Sequence, residues 1–165
     1  MGAMGWFGFA LRMLVGGVWI VAGLLKLPDP AASVRAVRAY EILPEAVVPA
    51  VGHVLPVVEV LVGLLLVTGL AVRAAAFVSL LLFLAFVIGI ASAWARGLQI
   101  DCGCFGGGGY KENAEAAYPW ELARDFGLLL ASAWLVWQPR TPWALDNRLL
   151  YAPTRHRTPS GEPSS

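Results

Sequence analysis

The stretch AAAFVSLLLFLAFVIGIASAWA, residues 74–95, carries no charged side chain from end to end. As an α-helix rising about 1.5 Å per residue it would be about 33 Å long, which matches the roughly 30 Å hydrocarbon core of a bilayer. Its apolar residues are continuous, whereas the strands of a membrane β-barrel alternate apolar and polar positions. The stretch therefore predicts a membrane-spanning helix.

Three more apolar runs of similar length accompany this one. They cover residues 6–27, 47–70 and 120–137. The last run is the weakest, because Arg124 and Asp125 leave an uninterrupted apolar core only over residues 126–137. Each run is long enough to cross a bilayer as a helix. We predict an all-α fold, a bundle of four transmembrane helices.

The composition excludes several classes of protein. Apolar residues make up 58% of the 165 positions and charged residues only 14%, against about 25% charged in a typical soluble domain. The net charge of +1 provides no basic surface for nucleic acid, and two cysteines are too few for a disulfide-stapled scaffold. The first run is predicted to be retained and not cleaved as a signal peptide, because no basic segment precedes it and Arg12 lies inside it.

A short helix is predicted between the first two spans. Asp29 can cap free backbone amides, and Pro30 suits the first helical position. From Ala31 to Leu43 apolar and basic residues favour opposite sides, which is typical of a helix lying at the membrane surface. We expect Pro44 to end it.

The membrane domain is predicted over residues 1–138, followed by a flexible tail rich in Arg, Pro and Ser over residues 139–165. With four spans, this basic tail shares one side with Arg73, predicted at the tip of the tight hairpin turn 71–73. The other side carries the acidic loop residues Asp29, Glu41, Glu45, Asp101, Glu112, Glu115 and Glu121. The positive-inside rule favours cytoplasmic termini in the plasma membrane.

Both cysteines of the chain lie in the segment Cys102-Gly103-Cys104, just after the third span. Thiol exchange needs an attacking thiolate and a neighbour that resolves the mixed disulfide, and this segment provides both. Gly103 permits closure of a strained and easily reduced disulfide ring. Gly106 to Gly109 are expected to let the loop swing.

Two other interpretations of the cysteines stay open. Two small thiols can simply pack at a helix end. Two thiolates can also hold Cu(I) or Zn(II), but a closed zinc site uses about four ligands, and the nearby candidates are only Asp101 and other loop acids. We predict no metal site.

Three ionisable residues fall inside the predicted spans, where charge is costly and usually faces the bundle interior. Glu59 lies near the middle of the second span and can pair with Arg12 of the first. Such a pair would fix the helix packing or take part in proton or electron transfer to a quinone. His53 is predicted to be a polar residue at a helix interface.

Arg124 and Asp125 lie at the entrance of the fourth span, on the same side as the cysteines. The guanidinium group can stabilise a thiolate and the carboxylate can relay its proton. Alternatively, the two side chains only cap the helix and reach towards the interface.

Several of these residues together resemble the MauE family of methylamine utilisation proteins, within the wider DoxX-like membrane proteins. The motifs are Gly23-Leu24-Leu25-Lys26-Leu27 with Pro30, Tyr40 and Leu43-Pro44, Glu59 with Gly63, Cys102-Gly103-Cys104-Phe105-Gly106, and Trp120 with Arg124-Asp125. The resemblance covers residues 9–137. It implies a four-helix membrane bundle associated with thiol redox chemistry on the outer side, often encoded with thioredoxin-like partners. MauE itself is associated with maturation of methylamine dehydrogenase.

These observations predict an integral membrane protein that exchanges a Cys102–Cys104 dithiol and disulfide with an extracytoplasmic protein, thioredoxin-like or itself disulfide-containing. It would be a thiol-disulfide oxidoreductase in contact with lipid, with a membrane quinone as a candidate electron acceptor and with no nucleic-acid partner. Two alternatives are a non-catalytic assembly subunit and a membrane protein that handles copper or zinc.

Overall fold

The computed structural model describes residues 3–103 and 107–138 of the chain. Five α-helices account for most of this part, and the all-α prediction is confirmed. The elements are α1 (Ala3–Lys26), α2 (Pro30–Ala39), α3 (Val48–Thr68), α4 (Val72–Ala95), β1 (Ile100–Asp101), β2 (Gly109–Tyr110), a 3-10 turn (Ala114–Ala116) and α5 (Tyr118–Trp137). Cys104 and the predicted tail, residues 139–165, lie outside the described residues.

Three helices of the described part are long and apolar enough to cross a membrane. They are Met4–Lys26 within α1, Val48–Thr68 and Val72–Ala95. The predicted fourth range coincides with α5, which is helical from Tyr118 to Trp137. That α5 also crosses the membrane stays a prediction.

Helix α1 packs closely along α3, at positions where both helices carry glycine. A Cβ atom added at Gly63 would lie 2.7 Å from the carbonyl oxygen of Gly16 and 2.9 Å from the backbone nitrogen of Ile20. Small residues let two membrane helices approach until their backbones touch, and dispersion forces then hold them together. The glycines therefore fix which residues of α1 and α3 lie side by side.

Helices α4 and α5 form the second closely packed pair, and a buried polar chain joins it to α1. The indole nitrogen of Trp19 donates a hydrogen bond of 2.7 Å to Ser79 Oγ, which lies 2.9 Å from Ser132 Oγ. The Trp19 ring also lies against Phe83, with 4.3 Å between ring centroids. One tryptophan on α1 therefore contacts α4 and, through Ser79, is linked to α5.

Helix α2 begins as predicted but ends earlier. The Asp29 carboxylate accepts a hydrogen bond of 3.0 Å from the Ala32 amide, and Pro30 occupies the first turn. The helix ends at Ala39, not at Leu43, because Glu41 adopts a left-handed backbone with φ 51°. Pro44 disfavours a helical backbone only at the preceding residue, Leu43. It therefore marks the last position that the helix could reach, not the residue at which the helix ends.

The loop after α2 is held by an exposed ion pair. Arg38 Nη2 lies 2.5 Å from a carboxylate oxygen of Glu45, and this hydrogen bond lowers the pKa of Glu45 below its ordinary value. Both side chains are exposed, and solvent-screened pairs of this kind contribute little to stability.

The turn between α3 and α4 lies two residues earlier than predicted. It is formed by Gly69, whose left-handed conformation ends α3, by Leu70 and by Ala71. Arg73 is the second residue of α4 and does not lie at the tip of the turn. We predicted the tip at Arg73 because it is charged. Gly69 was the better indicator, because glycine commonly ends a helix in the left-handed conformation.

The contact between α1 and α3 predicts that Gly63→Ala destabilises the protein. The new methyl group would meet backbone atoms, which cannot rotate away, so the free energy of unfolding should fall by about 1–3 kcal/mol. In thermal denaturation of the detergent-solubilised protein we expect a Tm lower by about 5 °C.

Gly17→Ala is the matched control, because nothing lies within 4 Å of a Cβ atom added at Gly17. Alanine favours helix over glycine, so this variant should keep or raise the Tm. Equal losses of Tm in both variants would contradict the close contact of α1 with α3.

Candidate functional site

Cys102 lies in the loop of a small β-hairpin that the sequence did not reveal. Strands β1 and β2 are antiparallel, with Ile100 opposite Tyr110 and Asp101 opposite Gly109. Each strand has two residues, too few for the alternating pattern that identifies a strand. The hairpin brings the two sides of the cysteine loop together, and Cys102 is buried with 6% of its surface exposed.

Hydrogen bonds fix the start of this loop. The Tyr40 hydroxyl donates a bond of 2.8 Å to the Cys102 carbonyl oxygen. The Gly103 amide donates to Asp101 Oδ1 at 3.0 Å, and Asp101 in turn lies 3.4 Å from the Lys111 ammonium group. The backbone on both sides of Cys102 is therefore held by α2 and by the hairpin itself.

Gly103 is needed for close packing as well as for its backbone conformation. Its φ is +66°, and an added Cβ atom would lie 2.6 Å from the Cβ atom of Ala36 on α2. Gly108, on the other side of the loop, approaches Ala36 equally closely. Gly109 is paired in β2. The expectation that these glycines let the loop swing therefore receives no support from Gly108 and Gly109.

Glu121 is the site residue that the sequence analysis missed. Its carboxylate accepts a hydrogen bond from the Cys102 side chain. One carboxylate oxygen, Oε2, is buried without a partner among the described residues. The sequence analysis counted Glu121 only among the acidic loop residues. Its position in the first turn of α5, three residues before Arg124, was the available signal.

Arg124 and Asp125 contact each other. Arg124 Nε donates to Asp125 Oδ1 at 2.9 Å, and the Asp125 residue is only 2% exposed. The charge of Arg124 is also close enough to act on the Glu121 carboxylate. The structure thus places the pair one turn along α5 from the carboxylate that contacts Cys102. Their predicted effect on the thiol stays a prediction.

The predicted pairing of Arg12 with Glu59 is wrong, because Glu59 pairs with Lys26. Lys26 Nζ lies 2.6 Å from Glu59 Oε1, and the two side chains are 4% and 0% exposed. Gly23 of α1 contacts Pro56 and Val60 of α3, so Glu59 lies beside the last turns of α1.

Arg12 lies about four turns of helix before Lys26 in α1. It is 1% exposed, and its guanidinium carbon lies 5.2 Å from the centroid of the Phe9 ring. Lys26 is the last residue of α1, and we had named it only as part of the Gly23-Leu24-Leu25-Lys26-Leu27 motif. A lysine at a helix end can turn its long side chain into the bundle as well as out of it.

The prediction that His53 lies at a helix interface is also wrong. The side chain is exposed on the surface of α3, and Nδ1 lies 2.6 Å from the Pro49 carbonyl oxygen of the same helix. This local hydrogen bond satisfies one ring nitrogen without a neighbouring helix.

A small cavity adjoins both Cys102 and Tyr40, and a larger cavity adjoins Tyr40. The smaller, about 20 Å³, is lined by Lys26, Ser33, Cys102 and Gly103 together with apolar side chains and Tyr40. The larger, about 290 Å³, lies between α2, α3 and α4 and is almost entirely apolar. Tyr40 and Phe86 line both. Within residues 3–103 and 107–138, no three histidine, cysteine or acidic side chains form a group that would bind a metal.

Comparison with known proteins yields one family and one curated relative. The family model described as "Methylamine utilisation protein MauE" matches residues 4–138. The "Methylamine utilization protein MauE" of Paracoccus denitrificans is 41% identical over 102 residues, which are 61% of this chain and 54% of that protein. The aligned part thus spans about half the length of this relative. No solved structure matches the chain significantly.

The contact of Gly103 with Ala36 predicts that Gly103→Ala displaces the cysteine loop. Alkylation of Cys102 by a small reagent should become at least about threefold faster, because the loop must move away from α2 to relieve the overlap. The rate is measured by mass spectrometry of the membrane-embedded protein, with a peptide that contains Cys102.

Two further variants separate the overlap from backbone strain. Gly97 has the same φ of +66° with nothing within 4 Å of an added Cβ atom, so Gly97→Ala tests strain alone. Ala36→Gly combined with Gly103→Ala removes the overlap and should restore the slow rate. If this double variant reacts as fast as Gly103→Ala, the contact with Ala36 does not position the loop.

Proposed function

The chain belongs to the MauE family of methylamine utilisation proteins, and from this we propose that it is a membrane thiol-disulfide oxidoreductase. In this proposal Cys102 and Cys104 exchange a dithiol and a disulfide with an extracytoplasmic protein, which is thioredoxin-like or itself disulfide-containing. The relative's name supports a role in methylamine utilisation. The hydrogen bond between the Cys102 side chain and the Glu121 carboxylate is the observation that carries the proposal.

The burial of Cys102 supports different roles for the two cysteines. A disulfide of another protein cannot easily reach a residue that is only 6% exposed. We therefore assign attack on the partner to Cys104 and resolution of the mixed disulfide to Cys102. Glu121 is the base for Cys102, since a carboxylate within hydrogen-bond distance can accept the thiol proton.

The Cys104 thiolate attacks the partner's disulfide and releases one partner thiolate, which takes up a proton. Cys102 gives its proton to Glu121 and attacks the Cys104 sulfur, releasing the second partner thiolate. Glu121 then returns its proton to that thiolate. Two electrons pass to the partner, whose disulfide becomes two thiols, and the same steps in reverse oxidise a reduced partner.

The arrangement of the loops supports a four-span topology for the domain 1–138. Helix α2 packs against the hairpin that carries Cys102, so the connections α1–α3 and α4–α5 lie at the same end of the bundle. This is required if α5 crosses the membrane as a fourth helix. The opposite end then carries Arg73 and the basic tail 139–165, which by the positive-inside rule is cytoplasmic in the plasma membrane.

The larger cavity supports a quinone as the membrane electron carrier. It is apolar, lies between α2, α3 and α4, and has a volume of about 290 Å³, enough for a quinone ring. A quinone would take two electrons and two protons from the dithiol, leaving the disulfide and the hydroquinone. If no quinone analogue changes the redox state of the cysteines in the purified protein, this part of the proposal falls.

The division of roles predicts opposite trapping behaviour for the two single variants. Cys102→Ser keeps the attacking cysteine without its resolving partner and should accumulate a disulfide-linked complex with an extracytoplasmic protein. Cys104→Ser should yield little or none. Non-reducing electrophoresis of acid-quenched cells, followed by mass spectrometry of the linked band, makes the comparison.

Absence of a linked partner from both variants would refute thiol exchange. If the Cys102→Ser/Cys104→Ser double variant fully supports methylamine utilisation in cells, the alternative of a non-catalytic assembly subunit is supported instead. Near-stoichiometric copper or zinc that is lost on thiol alkylation would support the metal-handling alternative.

The role of Glu121 predicts slow resolution in Glu121→Gln. Loss of a positioned base typically costs about 10²-fold or more in rate, so the mixed disulfide should persist about 10²-fold longer near neutral pH. Glu115→Gln is the control, since Glu115 is an exposed acid on the same connection. Equal lifetimes in the two variants would show that Glu121 is not the base. Lifetimes are followed by acid quenching after partner addition.

A further inference from the structure

The small cavity beside Cys102 has the size of a single water molecule. Its volume is about 20 Å³. A cavity volume of about 10–15 Å³ is enough to hold one water molecule. Such a water is stable only where several polar groups surround it. Lys26, Ser33 and Cys102 all line the cavity.

The polar groups at this cavity are deeply buried. Ser33 is 3% exposed, and its hydroxyl has no hydrogen-bond partner among the described residues. Lys26 is 5% exposed and lines the cavity, whereas its partner Glu59 does not. Lys26 Nζ lies 5.4 Å from the centroid of the Phe86 ring, which also lines the cavity. The lysine end of the ion pair therefore adjoins the space next to Cys102.

We propose that Lys26 and Ser33 hold a water molecule in this cavity, and that through it Lys26 acts as a positioning residue that stabilises the Cys102 thiolate. The inference rests on the proposed redox function and extends it to the Lys26–Glu59 pair. A cationic neighbour favours a thiolate, whereas apolar surroundings alone favour the neutral and unreactive thiol.

The other charged groups near Cys102 leave this task to Lys26. The Glu121 carboxylate faces the thiol and would repel a thiolate until it has taken up the proton. Arg124 is paired with Asp125 at 2.9 Å, and Lys111 with Asp101 at 3.4 Å. Tyr40 uses its hydroxyl on the Cys102 carbonyl. Of these cations, only Lys26 lines the cavity together with Cys102.

The test measures the pH dependence of Cys102 alkylation by iodoacetamide. The full chain carries Cys104→Ser, so that only one thiol reacts, and it is kept in native membrane vesicles. Lys26→Met/Glu59→Gln removes both charges together, which avoids leaving a buried carboxylate unpaired. We expect the pH of half-maximal rate to rise by about one unit, which means about tenfold slower alkylation near neutral pH.

Two lysine variants serve as comparisons. Lys26→Arg keeps the positive charge, so its pH profile of Cys102 alkylation should stay close to that of the Cys104→Ser parent. A purely structural role of Lys26 in helix packing would not predict this result. Lys111→Met removes the chain's other lysine, whose side chain is half exposed. Because solvent screens its charge, its shift should be less than about a third of that of the double variant. If Lys26→Met/Glu59→Gln keeps the parental pH profile, the inference is wrong.

The water is tested separately with Ser33→Val, which fills the cavity with apolar atoms. We expect a shift in the same direction of about half a unit, and an unchanged profile would refute the bridging water. The trapping experiment with Cys102→Ser distinguishes failure of the Lys26 inference from failure of the proposed exchange function. A trapped partner with no effect of Lys26 overturns this inference alone, whereas an effect of Lys26 without any trapped partner supports it and overturns the exchange function.

Discussion

The buried ion pair between Lys26 and Glu59 is the constraint on which the arrangement of this protein depends. Inside a membrane bundle bulk water does not solvate a charged group, so a buried ammonium group and a buried carboxylate are stable only when they pair. At 2.6 Å and with the Glu59 side chain fully buried, the pair ties the last turn of α1 to the middle of α3. Three residues after Lys26, Asp29 starts α2. The ion pair thus lies close to the start of α2, and α2 is the helix on which the cysteine loop rests.

The site forms where the two helix pairs of the bundle meet. Helices α1 and α3 hold the ion pair, while α4 and α5 carry the two ends of the segment that contains Cys102. Trp19 and Ser79 join these halves in the core, and Tyr40 joins them again at the loop. Because Cys102 has neighbours from both halves, a shift of one pair relative to the other would change its surroundings. The hydrogen bond between Trp19 and Ser79 in the core and that between Tyr40 and Cys102 at the loop both oppose such a shift.

Hydropathy predicted the long helices well and the inward-facing residues poorly. The three candidate spans end within three residues of the predicted positions, because the length of an apolar run depends on the bilayer and not on neighbours. Helix α4 is apolar on all sides, so its sequence does not show which face is buried. The same holds for α3, where His53 was predicted at a helix interface but is exposed on the surface of the helix.

The cysteine motif was visible in the sequence, but its surroundings were not. Glu121 and Lys26 approach Cys102 only because α5 and α1 are brought together by the fold, and no local spacing reveals such contacts. Glycine-rich loops are costly to order, since glycine loses more conformational freedom than other residues. Here Ala36 of α2, Tyr40 directly after α2 and Asp101 of β1 contact the backbone around Cys102 and Gly103. In the proposed exchange much of this ordering is therefore completed during folding, before the thiol reacts. Gly108, one of the glycines that suggested a flexible loop, lies directly against Ala36 of α2.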